Sequence, residues 1–202
     1  MSIPFQDSET AKNLLRAFAG ESQARNRYDF AANLCQKQEL QAMAFIFQAT
    51  AKQEQAHAKV FWDHLQALNG QNLPIYGAYP IEGTNRILEL LRAAQHNEHE
   101  EHGSVYPSFA AIATQEGFPE AAASFRQIAA IEQLHGERFG LLADQLESGA
   151  LFVSQIETGW MCLNCGHTQN SLEAPKQCPV CNHGQGWFIR LELAPWSPVV
   201  KQ

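Results

Sequence analysis

Glu54-Gln-Ala-His57 and Glu132-Gln-Leu-His135 decide how this chain is read. Each sets a histidine three residues after a glutamate, on one helix face, where both can reach one ligand. Each glutamate also falls in a row of mostly apolar residues seven apart: Leu40, Phe47, Glu54, Phe61, Leu68, and Phe125, Glu132, Phe139, Leu146. Two further rows read Leu14, Glu21, Tyr28, Cys35 and Leu91, Glu98, Val105, Ile112, and Glu101 follows Glu98 at the same spacing of three. A seven-residue step is nearly two helical turns, so each row is one face of a helix and should be buried. Taken singly, a helical glutamate is a solvated side chain and a lone histidine a satisfied polar group. Four carboxylates in register on four buried faces are different: without cations their burial would be ruinous.

One glutamate from each of two helices and Glu-x-x-His from each of the other two is the ligand set of di-iron and di-manganese bundles. Glu101 is an extra member here. The expected fold is mainly α: a ferritin-like four-helix bundle with one long crossover. The helices are expected at about 10–36, 39–68, 84–115 and 119–147. Ser8 or Asp7 can cap the first, Asn69-Gly70 stops the second, and Thr84 can cap the third. Residues 71–83 carry Pro74, Gly77, Pro80 and Gly83 and lack helical pattern. That is the crossover, which must run the bundle's length. Pro107 interrupts the third helix and should bend it or force a bulge near the proposed metals, with Gly103 four residues back giving the ring room. Gly117 ends the third helix, Pro119 suits the first turn of the fourth, and Gly149 ends that.

Across 202 residues there are 14 basic and 21 acidic side chains, for a formal charge of −7. Five of those acids are candidate metal ligands, so the surface is less acidic than the count suggests. No basic patch argues for nucleic acid, and no apolar run reaches the ~18 residues of a membrane helix. The N-terminal sequence lacks the charged-then-apolar pattern of a signal peptide, so a cytoplasmic location is expected. Cys35 stands alone on an apolar row and reads as a small buried hydrophobe.

From Ala150 onward the helical period stops and Gly, Pro, Cys and Trp rise. Two units are expected, 1–149 and 150–202. The second is too small for a core alone to stabilise, so a metal is expected. Cys162-Leu-Asn-Cys165 and Cys178-Pro-Val-Cys181 are paired knuckles at the spacing of a tetrahedral thiolate site. Taken by itself the segment fits zinc or iron, and only iron would be redox-active. The neighbouring bundle favours iron, because a two-metal oxidase or peroxidase needs electrons delivered singly. Trp160, Trp187 and Phe188 are expected to pack the small core.

The combination resembles the rubrerythrins, in which a ferritin-like di-iron bundle is fused to a rubredoxin-like domain. The resemblance covers nearly the whole chain. It is carried by Ala19-Gly-Glu-Ser-Gln-Ala-Arg-Asn-Arg-Tyr28, Glu54-Gln-Ala-His57, Glu98-His-Glu-Glu101 leading to Tyr106-Pro-Ser-Phe-Ala110, Glu132-Gln-Leu-His135, Trp160-Met-Cys-Leu-Asn-Cys-Gly166 and Ala174-Pro-Lys-Gln-Cys-Pro-Val-Cys181. It implies that Glu54 and Glu132 bridge two irons, with Glu21 terminal on one and Glu98 with His135 on the other. Glu101 and His57 would alternate on the first iron, the carboxylate for the ferric ion and the imidazole for the ferrous. Tyr28 and Tyr106 would donate to ligating carboxylates, although plain aromatic packing fits them equally. Two departures stand out. Asn182 replaces the usual glycine after the second knuckle, and Asn tolerates the left-handed conformation. Lys176 replaces a common acidic residue and should alter local charge without touching ligation.

The implied activity is reduction of hydrogen peroxide to water, with the four-cysteine iron returning electrons from a separate reductase. From Glu132 to Glu147 the helix rises roughly 22 Å. The cysteines lie beyond that, which favours a head-to-tail homodimer placing one module beside the other subunit's irons. The alternatives are a ferritin-like iron oxidase or storage subunit, and a non-catalytic bundle with a structural zinc ribbon.

Overall fold

A computed structural model describes residues 3–195. Helix α1 spans Glu9–Lys37 and α2 spans Gln41–His64, continued by a 3-10 turn over Leu65–Leu68. Ser8 caps α1, its hydroxyl accepting from the Ala11 amide at 3.0 Å. Helix α3 (Ile87–Glu100), a π-helical turn (Glu101–Val105) and α4 (Tyr106–Glu116) follow one another without a break, and α5 runs Pro119–Glu147. Pro119 occupies the first turn of α5, and Gly117 (φ 86°) and Gly149 (φ 71°) adopt the left-handed conformation at helix ends. Thr84 lies outside the third helix, which begins three residues later. Its hydroxyl accepts from the Arg86 amide and donates to Glu89, closing a turn just before the helix.

The bulge demanded by Pro107 is the π turn, closed by the Tyr106 amide bonding back to the Glu101 carbonyl. It changes the register. A π turn takes up one residue more than an α turn, so the buried row does not continue from Glu98 to Val105 and Ile112. Those two are only half-buried, and Tyr106, Ala110 and Ala113 take the inner face. The other three rows keep their register at Leu14, Glu21, Tyr28 and Cys35, at Phe47, Glu54 and Phe61, and at Phe125, Glu132 and Phe139, all buried. Cys35 is fully buried, and burial pushes its thiol up to about 12.

The long connection from α2 to α3 is pinned along α1. Arg16 Nε donates to the Tyr76 carbonyl and Tyr79 Oη to the Arg16 carbonyl, both at 2.9 Å. Arg27 grips both oxygens of Glu82 at 3.0 Å, and Asn97 donates to the same carboxylate. Helices α3 and α5 approach closely, since a side chain at Gly136 would overlap the His99 ring.

Residues 153–190 form a three-stranded antiparallel sheet in the order β2-β1-β3, with β1 at Val153–Cys162, β2 at Thr168–Glu173 and β3 at Phe188–Arg190. Trp160, Ala174 and Phe188 form its core around Cys162 and Cys178, with Trp187 packed against them. The sheet is docked on the bundle. Met161, Ile189 and Ala194 join the core that contains Met43, Phe47 and Phe139. Gly186 meets the turn between α1 and α2 so closely that a Cβ there would overlap the Glu39 carbonyl.

Candidate metal centres

Two donor sets converge inside the bundle: Glu21, Glu54, His57 and Glu132, and Glu54, Glu98, Glu132 and His135. The donor atoms of each set lie within 4.8 Å of one another, every residue is buried, and Glu54 and Glu132 belong to both. His57 Nδ1 stands 2.9 Å from both Glu54 Oε2 and Glu132 Oε1, and 3.9 Å from Glu21 Oε2. His135 Nδ1 stands 3.0 Å from Glu54 Oε1, 2.9 Å from Glu132 Oε2 and 3.8 Å from Glu98 Oε2. The approaches of His135 are close but misaligned: its Nδ1, Glu54 Oε1, Glu98 Oε2, Glu21 Oε2 and both oxygens of Glu132 have no hydrogen-bond partner. Buried polar atoms are rarely left so. Atoms aimed at a shared point rather than at each other fit cations, and the four carboxylates match the charge of two divalent ions.

Magnitudes support this reading. Phe47, Phe61, Phe125 and Phe139 flank the site fully buried, each contributing about 1.5–3 kcal/mol. An uncompensated buried ion costs several kcal/mol. Four carboxylates would cancel the aromatic gain, so the site is tolerable only if cations or protons neutralise it. The protonation equilibria bear out the strain. Burial pushes Glu98 up to about 8, opposed by His135 and reinforced by Glu54 and Glu132. Burial and the carboxylates of Glu132, Glu101 and Glu54 hold Glu21 well above its ordinary range. Burial also opposes ionisation of Glu54, but the two imidazoles beside it prevail and draw it down to about 2. His57 is lifted to about 9 by Glu132 and Glu54 against the effect of burial.

Tyr28 Oη donates to Glu98 Oε1, and Tyr106 Oη donates to Glu21 Oε1. The first tyrosine is seven residues after Glu21, the second eight after Glu98. The π turn supplies the extra residue and so gives the two phenols equivalent places. Burial raises both phenols well above their ordinary value, which keeps them protonated donors. Glu101, the first residue of the π turn, is not in either converging set. It lines a cavity on the α1 side, where burial and the neighbouring Glu98, Glu132 and Glu54 raise its carboxyl.

Sequence reasoning missed Gln53, whose Oε1 lies 3.0 Å from His135 Nε2. That bond fixes the ring with Nδ1 turned to the carboxylates. A glutamine on an exposed helix face carries no signal of this. It missed Gly136 too, although a mid-helix glycine beside a ligand is a legible sign of close packing.

In the C-terminal sheet, Cys162, Cys165, Cys178 and Cys181 form a third converging set. Cys162 Sγ lies 3.7 Å from Cys181 Sγ, and Cys165 Sγ lies 3.6 Å from Cys178 Sγ. A tetrahedron with metal–sulfur bonds near 2.3 Å has edges of about 3.8 Å, so the cage fits a metal. The knuckles repeat one another. The Cys162 amide donates to the His167 carbonyl and the Cys178 amide to the His183 carbonyl, both at 2.8 Å. The backbone amide of His183 draws Cys181 down to about 5, whereas burial pushes Cys162 up to about 12. Asn182 sits at φ 61°, matching Gly166 at 77°.

Comparison with known proteins agrees with this geometry. A family profile described as rubrerythrin matches residues 12–143, and one described as the rubredoxin-like domain of rubrerythrin matches 160–189. The chain is 44% identical over 188 residues to the rubrerythrin of Porphyromonas gingivalis, covering 93% of this chain and 92% of that relative. It is 42% identical to the rubrerythrin of Clostridium perfringens, covering 90% and 93%. Among solved structures, fully reduced nigerythrin superposes with a TM-score of 0.61 at 25% identity, over 91% of this chain and 90% of that one. The bacterioferritin BfrA of Mycobacterium tuberculosis shares the fold alone, with a TM-score of 0.61 at 18% identity, over 70% and 88%.

Proposed function

Because the chain belongs to the rubrerythrin family, we propose that it is a non-haem di-iron peroxidase that reduces hydrogen peroxide to water in defence against oxidative stress. The observation that carries this is the pair of donor sets sharing Glu54 and Glu132. Two ferrous ions held there would supply the two electrons and the Lewis acidity that cleavage of an O–O bond requires. The protein's part is placement. Glu54 and Glu132 span both positions, Glu21 belongs to one, and Glu98 with His135 belongs to the other. His57 faces the first position, where it or Glu101 would hold the ion, the imidazole suiting the ferrous and the carboxylate the ferric state. Tyr28 and Tyr106 hold their protons and fix the carboxylates they touch.

The two units divide the labour, 1–149 for chemistry and 150–202 for electron supply from a reductase through iron on the four cysteines. The sheet packs on the Glu39 end of the bundle, with Gly186 against the Glu39 carbonyl and Ile189 joining the core of Met43 and Phe47. A head-to-tail homodimer would bring one subunit's cysteines to the other's irons. No helix among the described residues is long and apolar enough to cross a membrane; a cytoplasmic site of action is part of the proposal.

The test is anaerobic stopped-flow mixing of iron-loaded, reduced protein with hydrogen peroxide. Rapid reoxidation with one peroxide consumed per two bundle irons is expected. Reoxidation no faster with peroxide than with dioxygen would overturn the reading.

A further inference from the structure

A cavity approaches the cation site as far as Glu101 and Tyr106. It holds about 230 Å³ between α1, the π turn and the crossover. Its inner end is Glu101 and Tyr106, and the phenol of Tyr106 bonds Glu21. Its outer wall is residues 77–80 of the crossover. Gly20 forms the pinch between the two ends. A Cβ there would stand 3.6 Å from the Tyr79 ring and 3.9 Å from Glu101 Oε1. That leaves room for one methyl group and no more. The Tyr79 ring is held by its bond to the Arg16 carbonyl, and Arg16 in turn bonds the Tyr76 carbonyl. The wall is therefore tied to Arg16 at Tyr76 and at the Tyr79 ring.

We propose that this cavity is the route by which peroxide reaches the metals, and that Tyr79 facing Gly20 sets the largest hydroperoxide admitted. The proposal rests on the peroxidase reading above. The body of the cavity is many times the ~30 Å³ share of a water molecule, so it cannot itself select hydrogen peroxide by size. Selection falls to the pinch. An alkyl hydroperoxide that passed it would undergo the same two-electron cleavage. ROOH takes two electrons from the reduced iron pair and two protons, the O–O bond breaks, and ROH and water leave. Tyr79 and Gly20 touch no reacting atom in this scheme and act by governing passage.

The test uses the full-length, iron-loaded protein with Gly20→Val, Gly20→Ala and Tyr79→Ala. Two readouts are needed: the rate at which azide associates with the oxidised iron pair, seen in the visible spectrum, and the ratio of turnover with tert-butyl hydroperoxide to turnover with hydrogen peroxide. Gly20→Ala, whose methyl takes the space left at the pinch, should slow azide association, and Gly20→Val should slow it further, by at least about tenfold. Tyr79→Ala should raise the turnover ratio by about tenfold. Azide rates that ignore Gly20→Val, at unchanged iron content and helicity, overturn the route. A ratio that ignores Tyr79→Ala overturns the gate. Should Gly20→Val lose iron, Tyr79→Trp replaces it and should slow azide as well; an unchanged azide rate there overturns the route. A wild-type protein inert to peroxide whose azide rate still answers to these substitutions would keep the route and sink the peroxidase reading.

Discussion

The bundle gathers its donors from Glu21 to His135, on four separate helical rods, while the C-terminal sheet gathers its four from Cys162 to Cys181, on two adjacent knuckles. The bundle donors ride on rows that already bury four phenylalanines, so their framework folds around an apolar core that needs no ion. The cysteines surround a core of little more than Trp160, Ala174 and Phe188. Such a small unit draws its folding energy from the metal itself, about 10–16 kcal/mol in zinc-finger peptides. The largest expected effect follows. Cys178→Ser, or chelation, should unfold residues 150–195 and leave the helices intact. Limited proteolysis would then cut only the C-terminal part, while far-ultraviolet circular dichroism keeps its helical signal. Equal protection of both parts after metal removal would break the contrast.

Glu132→Gln reverses the test. It removes a carboxylate common to both bundle sets, so both cations should be lost while the cysteine site keeps its metal and its visible absorption. The metal-free protein should melt at a lower temperature, because His57 and His135 each lose a carboxylate partner 2.9 Å away. Glu101→Ala should be milder: both sets persist, iron binding is partly retained, and peroxide turnover falls about 10–100-fold because the carboxylate that would serve the oxidised ion is gone. Unchanged stopped-flow turnover in that variant would remove Glu101 from the mechanism.

The same contrast explains what the sequence disclosed. The cysteine cage was legible from spacing alone because its donors are neighbours in the chain. The bundle set was legible because three of its rows keep a strict seven-residue step through Glu21, Glu54 and Glu132. The fourth row was misread after Glu98. One residue inserted by the π turn moves Tyr106 inward in place of Val105, and Pro107 announced a distortion without stating its length. Thr84 was misjudged as the helix cap because a side-chain turn and a helix start look alike in sequence. Gln53 and Tyr79 gave no signal, since their roles depend on which helix or strap lies opposite, and that is tertiary information.

Proton release sharpens the comparison further. In the metal-free bundle His57 titrates near 9, so at neutral pH it is protonated and a cation must expel that proton. Low pH favours the free form, and apparent affinity should rise by up to about tenfold per pH unit for each proton displaced, still climbing above pH 9 because Glu132 and Glu54 lift His135 to about 12 against the effect of burial. In the cage, Cys181 at about 5 is already a thiolate at neutral pH, whereas Cys162 at about 12 must yield its proton. Cobalt titrations in weakly buffered indicator dye would count the protons directly. No proton release on filling the bundle would mean that His57 is neutral before the ion arrives.

The smallest effect lies within the cage, between its two knuckles. Gly166 and Asn182 occupy matching places with φ of 77° and 61°, and the amide of each bonds the first cysteine carbonyl of its knuckle at 2.8 and 2.9 Å. A left-handed residue with a side chain costs roughly 1–2 kcal/mol, less for asparagine, while glycine loses more freedom on folding. These terms oppose, so Asn182→Gly should shift the stability of the metal-loaded sheet by under about 1 kcal/mol. Asn182→Val keeps the side chain and adds a β-branch that the left-handed region rejects, so it should cost distinctly more. Metal release in a graded denaturant series separates the two. Equal midpoints for Gly and Val would show that the second knuckle does not need its left-handed turn, and the likeness between the two halves of the cage would then be incidental.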